Sequence, residues 1–193
     1  MLSEPTAVTL KVIDALDALG IPYLIGGSFA SAIHGIARMT AYADLIADIR
    51  MDHASALAAA LEEGFYVDVE AIRDAILRRE AFNLIHLQTM FKVDIFIVKP
   101  RPFDRVQMER RQRVAISQNP ERFAYIATAE DNILAKLEWY RLGNETSERQ
   151  WRDVQNVIKT QSSRLDVAYM QQWAADLRIA DLLSRALDEA SAT

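Results

Sequence analysis

The sequence predicts an α/β domain, a mixed sheet flanked by helices, that runs on into a C-terminal helical bundle. Three observations carry this expectation. A short β-prone run, Tyr23 to Ile25, is broken by Gly26-Gly27 and followed by an alanine-rich segment, Phe29 to Ile33, of helical composition. Two further β-rich runs, Phe82 to Leu87 and Phe91 to Val98, are separated by Gln88-Thr89-Met90, as in an antiparallel hairpin. From Thr128 onward the apolar positions recur only at helical spacing. The division expected is an α/β domain over 1–127 and a helical region over 128–193 packed on it.

The chain opens with a helix. Pro5 sits near its start, Val8, Val12, Leu16 and Leu19 recur on one face, and Gly20 and Pro22 end it. The run from Tyr23 is the first strand, and Ser28 is expected to cap the helix that follows, which His34-Gly35 closes. Tyr42 to Ile46 reads as a second strand. Asp52 is expected to cap an alanine-rich helix, Ala54 to Glu63, closed by Gly64. Phe65 to Val67 is a short extended piece, and Val69 to Glu80 is helical with a basic end at Arg78 and Arg79 that suits the helix dipole. In the second run of the hairpin, alternation puts Lys92, Asp94, Phe96 and Val98 on one face and Phe91, Val93, Ile95 and Ile97 on the other. Val114 to Ile116 and Arg122 to Ile126 are short strands. In the bundle, Thr128 or Asp131 caps a helix with the stripe Ile133, Leu134, Leu137 and Tyr140, stopped by Gly143-Asn144. Further helices follow from Ser147, over Leu165 to Leu177, and over Ala180 to Leu187.

Composition bounds the function. At 193 residues and 51% hydrophobic content the chain can bury a substantial core. It has no cysteine, so a disulfide framework and a thiolate metal site are both excluded, and the reducing cytoplasm is the expected setting. Its three histidines are far apart, which argues against zinc. The N-terminal residues carry acid where a secretory signal wants base, and no apolar run approaches the roughly 20 residues a membrane helix needs. A net charge of −5 disfavours indiscriminate binding to nucleic acid. The one basic concentration, Arg101 to Arg113, is either a solvated helix face or a landing place for an RNA or protein backbone.

Two places carry chemistry. Unpaired N–H groups at a helix start carry partial positive charge, so Gly26, Gly27 and Ser28 between strand and helix can cradle a phosphate; the same Gly-Gly-Ser is also an ordinary strand-to-helix turn. Asp94 is a lone carboxylate within an apolar strand. Burying it unpartnered costs several kcal/mol, so it faces a cation or a cleft, or it pairs with a neighbouring Arg or Lys.

Gly26-Gly27-Ser28, then Arg38 and Thr40, then Asp44 follow in an order that resembles the polymerase-beta-like nucleotidyltransferases, in particular minimal members related to the AbiEii toxins. The segments LAKLEWYR and RQWRDV continue the resemblance, which is most specific over residues 20 to 160. It implies a nucleotidyltransferase fold in which Asp44 and Asp94 are catalytic carboxylates that ligate magnesium. It further implies that Gly26, Gly27, Ser28 and Arg38 bind nucleotide, and that Lys136 contacts the triphosphate with support from Arg152 and Asp153. Read without it, Lys136 is a surface lysine between Glu138 and Arg141. One residue departs from the pattern: Tyr42 stands where the family places the first aspartate of an Asp-x-Asp pair, and a neutral, bulky phenol does not replace a hard anionic ligand.

Two functions of different class follow. One is nucleotidyl transfer from an NTP to a hydroxyl of RNA, such as tRNA, or of a protein, with Mg2+ and with activity impaired by Tyr42, in a toxin paired with an antitoxin. The other is a protein of the same fold that binds a nucleotide or a partner without catalysis.

Overall fold

The structure, a computed structural model, describes residues 3–36, 42–118 and 120–192; Arg38 and Thr40 lie outside the described residues. The chain divides into two compact units. One takes the chain up to Gly26 and from the second strand through Ile126; the other takes Gly27 through the second helix and everything from Ala127 onward. The helix after the Gly-Gly turn belongs with the C-terminal helices.

The first unit is built on a mixed sheet. Its strands are β1 (Tyr23–Ile25), β2 (Tyr42–Ala47), β3 (Phe65–Tyr66), β4 (Ala81–His86), β5 (Lys92–Ile97), β6 (Gln112–Gln118) and β7 (Glu121–Ile126), in spatial order β3-β4-β5-β2-β1-β7-β6. β2 runs parallel to β5 and β1 parallel to β7, while the other neighbours are antiparallel. Alternation sorts the side chains as period-2 strands require. Leu45, Ala47, Val93, Ile95 and Ile97 are buried on one face, and Tyr42, Asp44, Ile46, Asp94 and Phe96 are half-buried on the other.

Helices α1 (Glu4–Ala18), α3 (Ala54–Leu61), α4 (Val69–Arg78) and α5 (Pro102–Arg110) complete this unit. Ser3 caps α1 by accepting from the Thr6 N–H, and the buried stripe Val8, Val12 and Leu16 faces the core. Asp68 caps α4 in the same way, and α4 stops at Arg78, before the expected Glu80, because Arg79 turns left-handed at φ 56°. Asp52 is not the cap expected of it. It lies within a 3-10 turn, Met51–His53, that leads into α3, and it pairs with Arg50. No helix among the described residues is long and apolar enough to cross a membrane.

The second unit is helical: α2 (Gly27–His34), α6 (Ala129–Leu142), α7 (Glu148–Gln161), α8 (Val167–Asp176) and α9 (Ala180–Ser191). Thr128 caps α6 and Ser147 caps α7, each accepting a backbone N–H of the first turn. Gly35 closes α2 against α7, where a side chain would be crowded by backbone. A Cβ would come within 3.0 Å of the Ser31 carbonyl and 3.2 Å of the Val157 nitrogen.

One part-buried polar contact ties α1 to the sheet. Lys11 Nζ lies 3.0 Å from His86 Nε2, and His86 Nδ1 lies 3.0 Å from Thr89 Oγ1. An ammonium can only donate, so Nε2 accepts and the Nδ1–H donates to Thr89: His86 is the neutral Nδ1 tautomer. Burial and then the Lys11 charge push its pKa below the ordinary histidine value. The unfolded chain therefore takes up a proton that the folded site resists, and stability is lost as pH falls from about 6.5 downward. Urea unfolding at roughly pH 7.5 and roughly pH 5.5 is expected to show a lower midpoint in acid, and Lys11→Met is expected to shrink that drop.

Candidate functional site

The candidate residues fall into two groups, one in each unit. The first group lies on the half-buried sheet face. Parallel pairing of β2 with β5 sets Asp44 directly beside Asp94 and Tyr42 directly beside Lys92. Partnered residues on neighbouring strands project the same way, so the two carboxylates share one face. Lys92 Nζ lies 3.0 Å from Asp94 Oδ1, with Asp94 18% exposed and Lys92 45% exposed. Of the readings open for Asp94, pairing with a lysine is thus realised. The lysine is its own neighbour two residues back, and the alternation read from the sequence had already placed the two together.

The turn that leads from β1 is shaped by its glycines. The Gly26 N–H donates to the Asp44 carbonyl at 2.9 Å, and a Cβ on Gly26 would meet Ile46 Cδ1 at 3.0 Å. Gly27 takes φ 55°, a left-handed backbone that costs an L-residue about 1 kcal/mol or more. α2 is counted from Gly27, one residue before Ser28. Ser28 is therefore inside the first turn rather than at the cap, and its hydroxyl donates to Asp153 Oδ2 at 3.5 Å.

The second group is this serine and its partners. Lys136 is buried, contrary to its reading as a surface residue, and its Nζ lies 2.9 Å from Asp153 Oδ2, with side-chain exposures of 8% and 6%. Around them, Asn132 Nδ2 donates to Ser31 Oγ at 2.9 Å, and His34 Nε2 donates to the Ala127 carbonyl at 2.7 Å. Three helices thus meet in a polar layer. Its signal was present in the sequence: position 136 lies three residues after buried Ile133 and four before buried Tyr140, within the apolar stripe.

In the basic segment, much of the charge is spoken for within its own unit. Arg101 pairs with Asp104, and Arg111 and Arg113 lie over the rings of Tyr125 and Phe123 at 4.7 and 4.0 Å. Magnesium, which the resemblance implies, asks for hard oxygen donors in octahedral array. The sheet face offers Asp44 and Asp94, with an ammonium already against Asp94 and a phenol at 42. Among the described residues no group of three or more His, Cys, Asp and Glu side chains could hold a metal ion. This donor set does not fit a two-ion centre.

No protein-family model matches the chain, and no curated protein matches it. Solved structures do. The chain is similar to ANT(2'')-Ia, solved in complex with adenylyl-2''-tobramycin, at 15% identity over 90% of this chain and 97% of that one, with a TM-score of 0.55. It is similar to an antigenic nucleotidyltransferase-like protein from Paracoccidioides brasiliensis at 17% identity over 97% and 94%, TM-score 0.55. It is also similar to the lincosamide antibiotic adenylyltransferase LnuA, lincomycin-bound, at 14% identity over 81% and 96%, TM-score 0.50. The fold is that of the nucleotidyltransferases, as the resemblance implied.

Removing one member of the Lys136–Asp153 pair leaves the other charge buried, which costs about 3 kcal/mol or more. Lys136→Met and Asp153→Asn are each expected to lower urea stability by roughly that amount, and the double variant by less than the sum. Additive losses would show that the two do not act as a pair.

Proposed function

We propose that the protein transfers a nucleoside monophosphate from a nucleoside triphosphate to a hydroxyl of an acceptor, at the sheet face that bears Asp44 and Asp94, and that Tyr42 holds the rate down. The observation that supports this reading best is the strand register that pairs Asp44 with Asp94 on a half-buried face of a nucleotidyltransferase fold. The bond that forms joins the acceptor oxygen to the α-phosphorus; the bond that breaks releases pyrophosphate. The hydroxyl proton goes to a carboxylate of the pair, the general base in this scheme. The reaction is dominated by positioning and charge. Gly26, Gly27 and Ser28, with Arg38 and Lys136 as the resemblance implies, are the candidate nucleotide ligands.

The acceptor is RNA or protein on the toxin reading, approached along Arg101 to Arg113, and an antitoxin would be the partner that restrains it. The structures named above widen the choice, since two are described with an antibiotic or an adenylylated antibiotic bound, so a hydroxyl-bearing small molecule belongs in the assay. A second reading, nucleotide or partner binding without transfer, is favoured by Tyr42 and by the Lys92 ammonium against Asp94.

The test is transfer of label from each α-labelled NTP, in the presence of magnesium, to total RNA, to the chain itself, and to aminoglycoside and lincosamide acceptors. Transfer lost in Asp44→Asn and Asp94→Asn supports the proposal; NTP binding with no transfer to any acceptor supports the second reading. Tyr42→Asp adds a third carboxylate beside the pair and is expected to raise transfer at least about tenfold, or 1.4 kcal/mol of barrier. Asp94→Asn on that background is expected to remove the gain.

A further inference from the structure

Two carboxylates side by side on neighbouring strands repel, and each raises the cost of ionising the other unless a cation stands near. The face supplies one of its own. Lys92 and Asp94 lie on the same side of β5, and the Lys92 ammonium is 3.0 Å from Asp94 Oδ1. Register carries the arrangement across to β2, where Asp44 stands beside Asp94 and Tyr42 beside Lys92. On this face, that end of the two strands thus carries the two acids, an ammonium and a phenol ring.

We infer that Lys92 is the resident counter-ion of the carboxylate face, and that it competes with divalent cations for Asp94. A divalent ion that takes Asp94 Oδ1 must displace the ammonium, and one that takes the other oxygen sits close to a like charge. The face therefore holds such an ion weakly, and Lys92 as much as Tyr42 sets how weakly. The lysine stem is half exposed, so the ammonium is free to swing to another anion, such as a phosphate, when one arrives. The inference rests on the proposed reaction face for the reason an ion would be drawn there.

Its test uses manganese alone, with neither nucleotide nor acceptor, so that its outcome and that of the transfer assay stay separate. Free Mn2+ is followed by electron paramagnetic resonance as each protein is titrated. Lys92→Gln is expected to bind Mn2+ about tenfold more tightly than the wild type, since it removes both the competing pair and the like charge. Lys92→Arg, which keeps the charge, is expected to stay within about twofold of the wild type. The double variant Lys92→Gln with Asp94→Asn is expected to lose the gain. Circular dichroism and a melting curve confirm folding, and Lys92→Met serves the same purpose should the glutamine variant not fold. A folded Lys92→Gln protein that binds Mn2+ no more tightly than the wild type overturns the inference, as does a gain that survives loss of Asp94.

Discussion

Everything proposed for this molecule depends on one register: β2 lies parallel on β5 with Asp44 opposite Asp94. The pairing runs unbroken from Tyr42↔Lys92 to Ala47↔Ile97, and it is held from the other side of the sheet. Leu45, Ala47, Val93, Ile95 and Ile97 are all buried, so a slip of one residue would turn that apolar set to the half-buried face and bury the acids in its place. Burial of the apolar residues therefore fixes where the carboxylates stand. The cost is a pair of like charges held together, and the Lys92 ammonium offsets part of it.

The helical unit solves a different problem with similar means. Its core contains Lys136 and Asp153, which desolvation would penalise heavily if either stood alone. Ser28 donates to the same carboxylate oxygen, and Asn132 reaches Ser31 on the same short helix. This polar layer orders α2 against α6 and α7, and α2 is the helix that starts at the Gly26-Gly27 turn. The left-handed backbone at Gly27 favours glycine there whatever ligand the turn meets, while at Gly26 a side chain would press only on the tip of Ile46.

Strands and helices with a regular apolar period were legible in the sequence, because periodicity is a local record of burial. The hairpin of β4 and β5, the stripe of α6 and its cap at Thr128, one of the two positions the pattern offered, all fall where pattern put them. What was not legible depends on distant contacts or on a single dihedral angle. α2 begins at Gly27, two residues before the expected Phe29 and at a turn where Gly27 takes positive φ, and Ser28 gave up its expected capping place. The membership of α2 in the helical unit rests on contacts with α6 and α7, such as Ser28 to Asp153 and Asn132 to Ser31, about a hundred residues or more away in the chain. Asp94 stood out as a lone acid in an apolar strand; the claim of Lys92 on it was visible only as a shared face, since nothing local says which way a long flexible side chain will turn.

The central claim is that nucleotide meets this protein at the Asp44–Asp94 face. The most direct measurement is a crystal structure of the wild-type chain with a non-hydrolysable NTP analogue. The triphosphate is expected on the half-buried face of β2 and β5, with the Lys92 ammonium turned from Asp94 toward a phosphate oxygen. A nucleotide bound elsewhere, with the Lys92–Asp94 pair undisturbed, would contradict the claim.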